Sequence, residues 1–437
     1  MTQTLTPQEI VTHLDEHVIG QPEAKKAIAV AVRNRYRRMN SSNDIQNEIM
    51  PNNILLIGPT GVGKTELVNR LVDTLSAPLL KVEATKFTEV GYVGRDVESI
   101  ARDLAEKAFQ LLKRKKIEEA KIKANDQMLV RILDAILPGT NDTEHLELRN
   151  EYKAKIISGE IDDQEVEINI NKRQNLGIEI MSPPGMEEMT EQIQGLFQSM
   201  NSGKKEKKKT KIKDAKTILV DEEAEKLIDE SALKRDAITY AENEGIVFID
   251  EIDKVVRSSS QSSGDVSREG VQRDLLPLIE GTIVNTKYGQ LKTDHILFVA
   301  SGAFMDTSPS DLISELQGRL PIQVELNKLT LDDLILILTQ PKYSLIKQYQ
   351  ALLSTDKVKL QFTKDGIYEI ALAAFTANEN LENIGARRLN NVMESLLRNI
   401  LFDAPFDSSK TFKINRKFVQ TILSQPDFND NWRAWVI

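Results

Sequence analysis

Asn53-Ile-Leu-Leu-Ile57-Gly58-Pro-Thr-Gly-Val-Gly63-Lys64-Thr65 is the stretch that decides the fold. An apolar run of strand character leads into Gly, four residues, Gly, Lys and Thr, and a helical pattern from Glu66 to Leu75 follows directly. The glycines let backbone N–H groups wrap an anionic phosphate with no side chain in the way. The helix start behind them turns its positive end on the same charge. In that setting Lys64 reaches the outer phosphates of a nucleoside triphosphate, and the Thr65 hydroxyl enters a Mg²⁺ shell. The stretch predicts an α/β nucleotide-binding core.

Its complement is Gly245-Ile-Val-Phe-Ile-Asp250-Glu251-Ile-Asp253, a buried-strand pattern ending in two acids. The first carboxylate of such a pair orders Mg²⁺, and the second polarises the attacking water. Lys64 and Asp250 lie 186 residues apart, whereas successive βα units need only about a dozen or more connecting residues. An insertion on the order of a hundred residues therefore splits the sheet. The resulting division is 1–110 and 241–327 for the two parts of the nucleotide domain, 111–240 for the insertion, and 328–437 for a smaller C-terminal domain.

Within the insertion come a charged helical run from Lys113 and an alternating segment, Val166-Glu-Ile168-Asn-Ile170. Beyond Pro183-Pro184-Gly185, the lysine-rich run Lys204 to Lys209 reads as a mobile, solvated loop, and Asp221 to about Ala241 as helix. Outside it, Thr6-Pro7-Gln8-Glu9 has the form of a helix start. A second helix is predicted from Pro22 to Met39, with Arg33 to Arg38 as a solvated basic face, and a third from Arg95. Further on, a helix runs through Val271, Leu275 and Leu278, and Ile296 to Ala300 is a strand. The C-terminal domain is helical, with one strand pair near 358–362 and 410–414.

A chain of 437 residues exceeds one ordinary core. Its 40% hydrophobic and 28% charged residues are those of a globular protein, and a net charge of −9 argues against a broad nucleic-acid surface. The absence of cysteine excludes disulfides and cysteine zinc ligands, and His13, His17, His145 and His295 have no metal-ligand spacing. No secretory pattern opens the chain and no apolar run approaches membrane length, so the expected location is cytoplasmic, with no membrane partner.

Three further features carry a resemblance. Arg319 lies in Gln317-Gly318-Arg319-Leu-Pro321, a Gly/Pro-bounded turn expected after the sheet, and Arg387 opens a helix in Gly385-Ala386-Arg387-Arg388. A guanidinium forks onto phosphate oxygens, and one supplied by a neighbouring subunit can stabilise transition-state charge. Gly91-Tyr92-Val93-Gly94 sets an aromatic and a β-branched residue between glycines, a mobile tip with an apolar grip. With the phosphate loop these resemble the AAA+ ATPases. Across essentially its whole length the chain is similar to the HslU (ClpY) family, the ATPases of two-component HslUV proteases. His17-Val-Ile19-Gly20-Gln21, Val82 to Gly94, Gly177 to Gly185, Gly245 to Asp253, Val266 to Pro277, Leu316 to Pro321 and Asn383 to Arg387 carry that likeness. A related family, ClpX, lacks the large insertion and usually carries a cysteine zinc module.

The resemblance implies a parallel AAA+ P-loop sheet with flanking helices, an inserted, mostly helical intermediate domain and a smaller α+β C-terminal domain. It puts Ile19 in an adenine pocket, Gly61, Val62, Gly63, Lys64, Thr65 and Glu66 on the phosphates, and Thr65 and Asp250 at Mg²⁺. Glu251 polarises water, Glu315 and Arg387 complete the site, and Arg319 acts on a neighbour's ATP. The partners implied are a homo-hexamer, unfolded or tagged proteins gripped by Gly91 to Gly94, and an HslV-like threonine peptidase ring docked by a tail containing Trp432 and Trp435. No intrinsic peptidase activity is expected, since no nucleophile stands in a triad-like context. The competing expectations are a nucleic-acid motor, against which the acidic balance and apolar tip speak, and a stand-alone remodelling chaperone or assembly switch. A switch requires a defective hydrolytic acid, and Glu251 is present.

Overall fold

The structure, a computed structural model, describes residues 5–46, 48–50, 52–75, 77–87, 96–139, 145–171, 205–256, 265–406 and 408–424. Two compact units result, one made of the chain up to Phe109 and from Lys234 onward, the other of Gln110–Leu233.

The first unit is organised by β1 (Ile54–Ile57), β2 (Leu79–Glu83), β5 (Ile246–Asp250), β8 (Leu297–Gly302) and β9 (Ile322–Glu325), in the order β2-β5-β8-β1-β9. Every pairing among them is parallel. The inner strands are unbroken apolar runs because helices cover both faces. Alternation along each strand divides the core in two. Ile54, Leu56, Phe248 and Val299 pack with α1 (Pro7–Asp15), α2 (Pro22–Met39) and α4 (Lys64–Leu75) through Ile10, Leu14, Ile28, Leu67 and Leu71. Leu55, Val247, Ile249 and Phe298 face α5 (Ser99–Ile136), α8 (Glu230–Glu244) and α9 (Asp265–Glu280) through Ile100, Leu104, Ala241 and Leu275. A short α3 (Asn43–Gln46) follows α2, and α10 (Ser314–Arg319) precedes β9. Thr6 and Glu9 close the reciprocal hydrogen bonds of a capping box at the start of α1.

The C-terminal part runs α11 (Leu331–Thr339), α12 (Leu345–Ser354), β10 (Val358–Phe362), α13 (Lys364–Asn380), α14 (Arg387–Asp403), β11 (Lys410–Ile414) and α15 (Arg416–Leu423). Leu334, Leu338, Ile370, Val392 and Leu396 form its own core, and β10 pairs parallel with β11.

The second unit holds the continuation of α5, then α6 (Leu146–Ser158), β3 (Glu165–Asn171), β4 (Lys205–Lys211) and α7 (Ile212–Lys226). Here the lysine run is a strand and not a loop, paired antiparallel with β3. Val166 and Ile168 turn one face into a small core, while Lys207–Glu167 (3.0 Å) and Lys209–Glu165 (2.6 Å) pair on the other. Lysines alone carry no apolar period; acids on the facing strand make this ribbon.

Four other expectations are corrected. The third helix begins at Ser99 and not Arg95, with the Asp96 carboxylate accepting from the Glu98 N–H at 2.9 Å. The helix expected over 221–241 is broken between α7 and α8, where Asp229 accepts from the N–H groups of Ser231 and Ala232. Arg35 and Arg38, assigned to a solvated face, are buried. Arg319 ends a helix before the last strand of the sheet and does not follow it. A hairpin of β6 (Ile283–Thr286) and β7 (Gly289–Lys292) was not anticipated; its Tyr288 stacks on Phe109 at 4.4 Å and donates to Glu106 at 2.6 Å.

Candidate active site

β1 and β5 are neighbours of β8, so the loops leaving all three open at one edge of the sheet. A cleft of about 620 Å³ lies there, lined by Val18, Ile19, Gly61 to Glu66, Asp250, Glu251, Asp253, Tyr343 and Arg387, among others. Three parts of the chain distant in sequence meet in it: the N-terminal segment, the sheet and the C-terminal part.

The loop after β1 bends through Gly58, Gly61 and Gly63, all at positive φ. Gly61 has a second constraint, because a Cβ there would overlap the Ile384 carbonyl oxygen. That closeness is used. The Ala386 N–H donates to the Gly61 carbonyl at 3.0 Å, fastening the phosphate loop to the residue before α14. Behind it, Asn378 donates to the Gly385 carbonyl (3.0 Å) and accepts from the Ile384 N–H (3.3 Å), and buried Arg388 donates to the Glu382 carbonyl (2.7 Å). The turn carrying Arg387 is thus held rigidly against the loop.

Lys64 donates to the Gly58 and Pro59 carbonyls, the latter at 2.9 Å. Burial pulls its amine below the usual lysine range; Asp250 and Asp253 oppose that shift, and Arg387 adds to it. The Thr65 hydroxyl donates to Asp250 Oδ2 at 3.0 Å, while Asp250 Oδ1 accepts from the Ser301 hydroxyl and the Glu251 N–H. Glu251 follows in the left-handed region, φ 59°, which is uncommon and strained for a residue with a side chain. Asp253 is buried and accepts from the Phe304 N–H at 3.4 Å.

These residues suit a magnesium–triphosphate. A glycine cradle, a lysine, and a threonine hydroxyl bonded to an aspartate form a hard, oxygen-rich donor set. Thr65 and Asp250 would hold Mg²⁺, which supplies charge neutralisation when bound.

Residues 54–135 match the family model described as "ATPase family associated with various cellular activities (AAA)", and residues 165–326 match "AAA domain (Cdc48 subfamily)". The chain carries AAA+ ATPase domains. It is an ATP-hydrolysing enzyme. Both matched spans reach into the second unit, and the AAA+ core is the parallel sheet that the insertion divides.

Of the sequence-derived site, the AAA+ cleft gathers Ile19, Gly61, Val62, Gly63, Lys64, Thr65, Glu66, Asp250, Glu251 and Arg387. It does not gather Glu315, which is exposed in the first turn of α10 and accepts from the Ser314 hydroxyl. Arg319 also stands outside, exposed and donating to Glu280 at 3.1 Å. Gly91, Tyr92, Val93, Gly94, Trp432 and Trp435 lie outside the described residues. Two features escaped sequence reading. Ser301 is visible there only as a hydroxyl ending an apolar strand, and the stack of His17 on Tyr343 (6.3 Å) joins residues with no sequence signal linking them. Among the described residues no acid, histidine or cysteine cluster forms a separate metal site, and no helix is long and apolar enough to cross a membrane.

Proposed function

We propose that this ATPase is the unfoldase component of a two-component protease of the HslU (ClpY) kind. It works as a cytoplasmic homo-hexamer that draws unfolded or tagged polypeptide toward an HslV-like threonine peptidase ring. The observation carrying this reading is the bond from Ala386 to Gly61, which couples the loop that cradles phosphate to the C-terminal domain. Lys64 and the loop N–H groups offset phosphate charge, and Asp250 with Thr65 orients the metal. Glu251 polarises the attacking water. Arg387 reports the state of the nucleotide to the C-terminal domain, and Arg319 serves a neighbour's site. Gly91 to Gly94 grip the substrate, and the tail from Trp432 docks the peptidase.

The test compares ATPase rates of the wild type and Glu251→Gln with unfolded casein or duplex DNA added, and follows casein breakdown with a threonine peptidase ring present. Casein should raise wild-type turnover, and ATP should drive its degradation in the two-component mixture. Stimulation by DNA alone would overturn the proposal.

A further inference from the structure

Asn53 directly precedes β1 and is 3% exposed. It bonds to three places. Its side-chain amide donates to the Arg319 carbonyl at 3.1 Å, and its side-chain oxygen accepts from the Phe298 N–H in β8 at 3.0 Å. Its backbone carbonyl accepts from the Ile322 N–H at the start of β9 at 3.3 Å. On the far side of Arg319, Leu320 is buried. The backbone at 319 is therefore pinned from inside the sheet, while its guanidinium reaches outward to Glu280.

We propose that Asn53 is a positioning residue for Arg319, fixing the backbone from which that guanidinium reaches a neighbouring subunit's nucleotide. The inference rests on the reading of Arg319 as acting across the subunit boundary. A carboxamide suits the place because it presents an acceptor and a donor on one rigid plane. Aspartate would keep the acceptor for Phe298 and lose the donor, setting its oxygen against the Arg319 carbonyl. The strand that Asn53 holds also runs to Ser301, which donates to Asp250. One buried amide thus ties a subunit's own site to the arginine it offers the next.

Asn53 does not line the cleft, so its loss should lower kcat and leave ATP affinity alone. A displacement of about 1 Å at a catalytic group costs about 100-fold in rate. For full-length Asn53→Asp and Asn53→Ser, kcat should fall about 10- to 100-fold, with KM for ATP within about twofold of wild type. Mixed rings then separate positioning from general damage. Lys64→Met subunits cannot turn over ATP but keep an intact Arg319, so mixing them with Asn53→Asp subunits should restore turnover. Arg319→Ala mixed with Lys64→Met is the control and should be restored too. Restoration of the control but not of Asn53→Asp overturns the inference and spares the reading of Arg319; no restoration of the control overturns that reading and the inference with it. Wild-type kcat in both Asn53 variants, or failure of both to form rings, would make the residue a prop of the sheet and also overturn it.

Discussion

The two ends of the parallel sheet carry polar groups of opposite design. At the carboxyl end, Lys64, Thr65, Asp250, Ser301 and Asp253 are bonded to one another or to nearby backbone, yet all but Ser301 also line an open cleft. At the amino end, Arg35 donates to the carbonyls of Asn243 and Glu244, the last residues of α8, and Arg38 to the Asn243 side chain. Burial pushes Arg35 down to about 10, with Glu244 opposing it. The Arg35 guanidinium is spent on the C-terminal carbonyls of a helix, where cations are favoured by its dipole, and Arg38 on a side chain at the same helix end. One end is built to receive a ligand, and the other to close itself.

That contrast can be broken by substitution, beginning with the largest effect. Glu251→Gln should cut ATP turnover by about 100- to 10,000-fold while leaving nucleotide binding and thermal midpoint near wild type; equal losses of all three would place Glu251 in the scaffold. Arg35→Met should do the reverse. Stripping the donor from part-buried helix-end carbonyls costs roughly 1–3 kcal/mol, read as a lower urea midpoint, with ATPase below the transition unchanged. Comparable in energy but mixed in kind is Gly61→Ala. A left-handed backbone costs a Cβ-bearing residue roughly 1–2 kcal/mol, and the Cβ must also push Ile384 away. Stability and turnover should both fall, and a loss confined to stability would separate the loop from the C-terminal part.

The smallest effect sharpens the comparison by pH. His295 lies at the amino end, half-buried, beside Arg38 and Arg35 of α2, with Asp294 next to it and Glu244 facing Arg35. Burial, then the Arg38 charge, holds its imidazole below the ordinary 6.5, with Asp294 opposing. As pH falls below 6.5 the unfolded chain takes up the proton first, so folding stability declines through the window down to the lowered folded value. His295→Gln should flatten that decline in the thermal midpoint between pH 7 and 5, and an unchanged slope would remove His295 as its source.

Much of this was legible along the chain. The strand and loop from Asn53 to Thr65 and the strand ending at Asp250 and Glu251 were readable because their chemistry is local. A phosphate wrap needs glycines a few residues apart, and a doubly covered strand needs an unbroken apolar run. The lysine strand β4 was not readable, since its signal sits across the ribbon in Glu165 and Glu167. The burial of Arg35 and Arg38 depended on a helix end two hundred residues further on.

Taken by itself, the sequence determined that a triphosphate loop and its acidic strand exist, and that an insertion parts them. Only the tertiary structure decided that Gly61 leans on Ala386, that Asn53 holds Arg319, and that Glu315 stands apart from the cleft. Each of those facts is a bond, or a missing one, between residues far apart in the chain. Residue type and spacing specify what a segment can form; which distant carbonyl meets a buried donor is settled when the sheet and its helices pack.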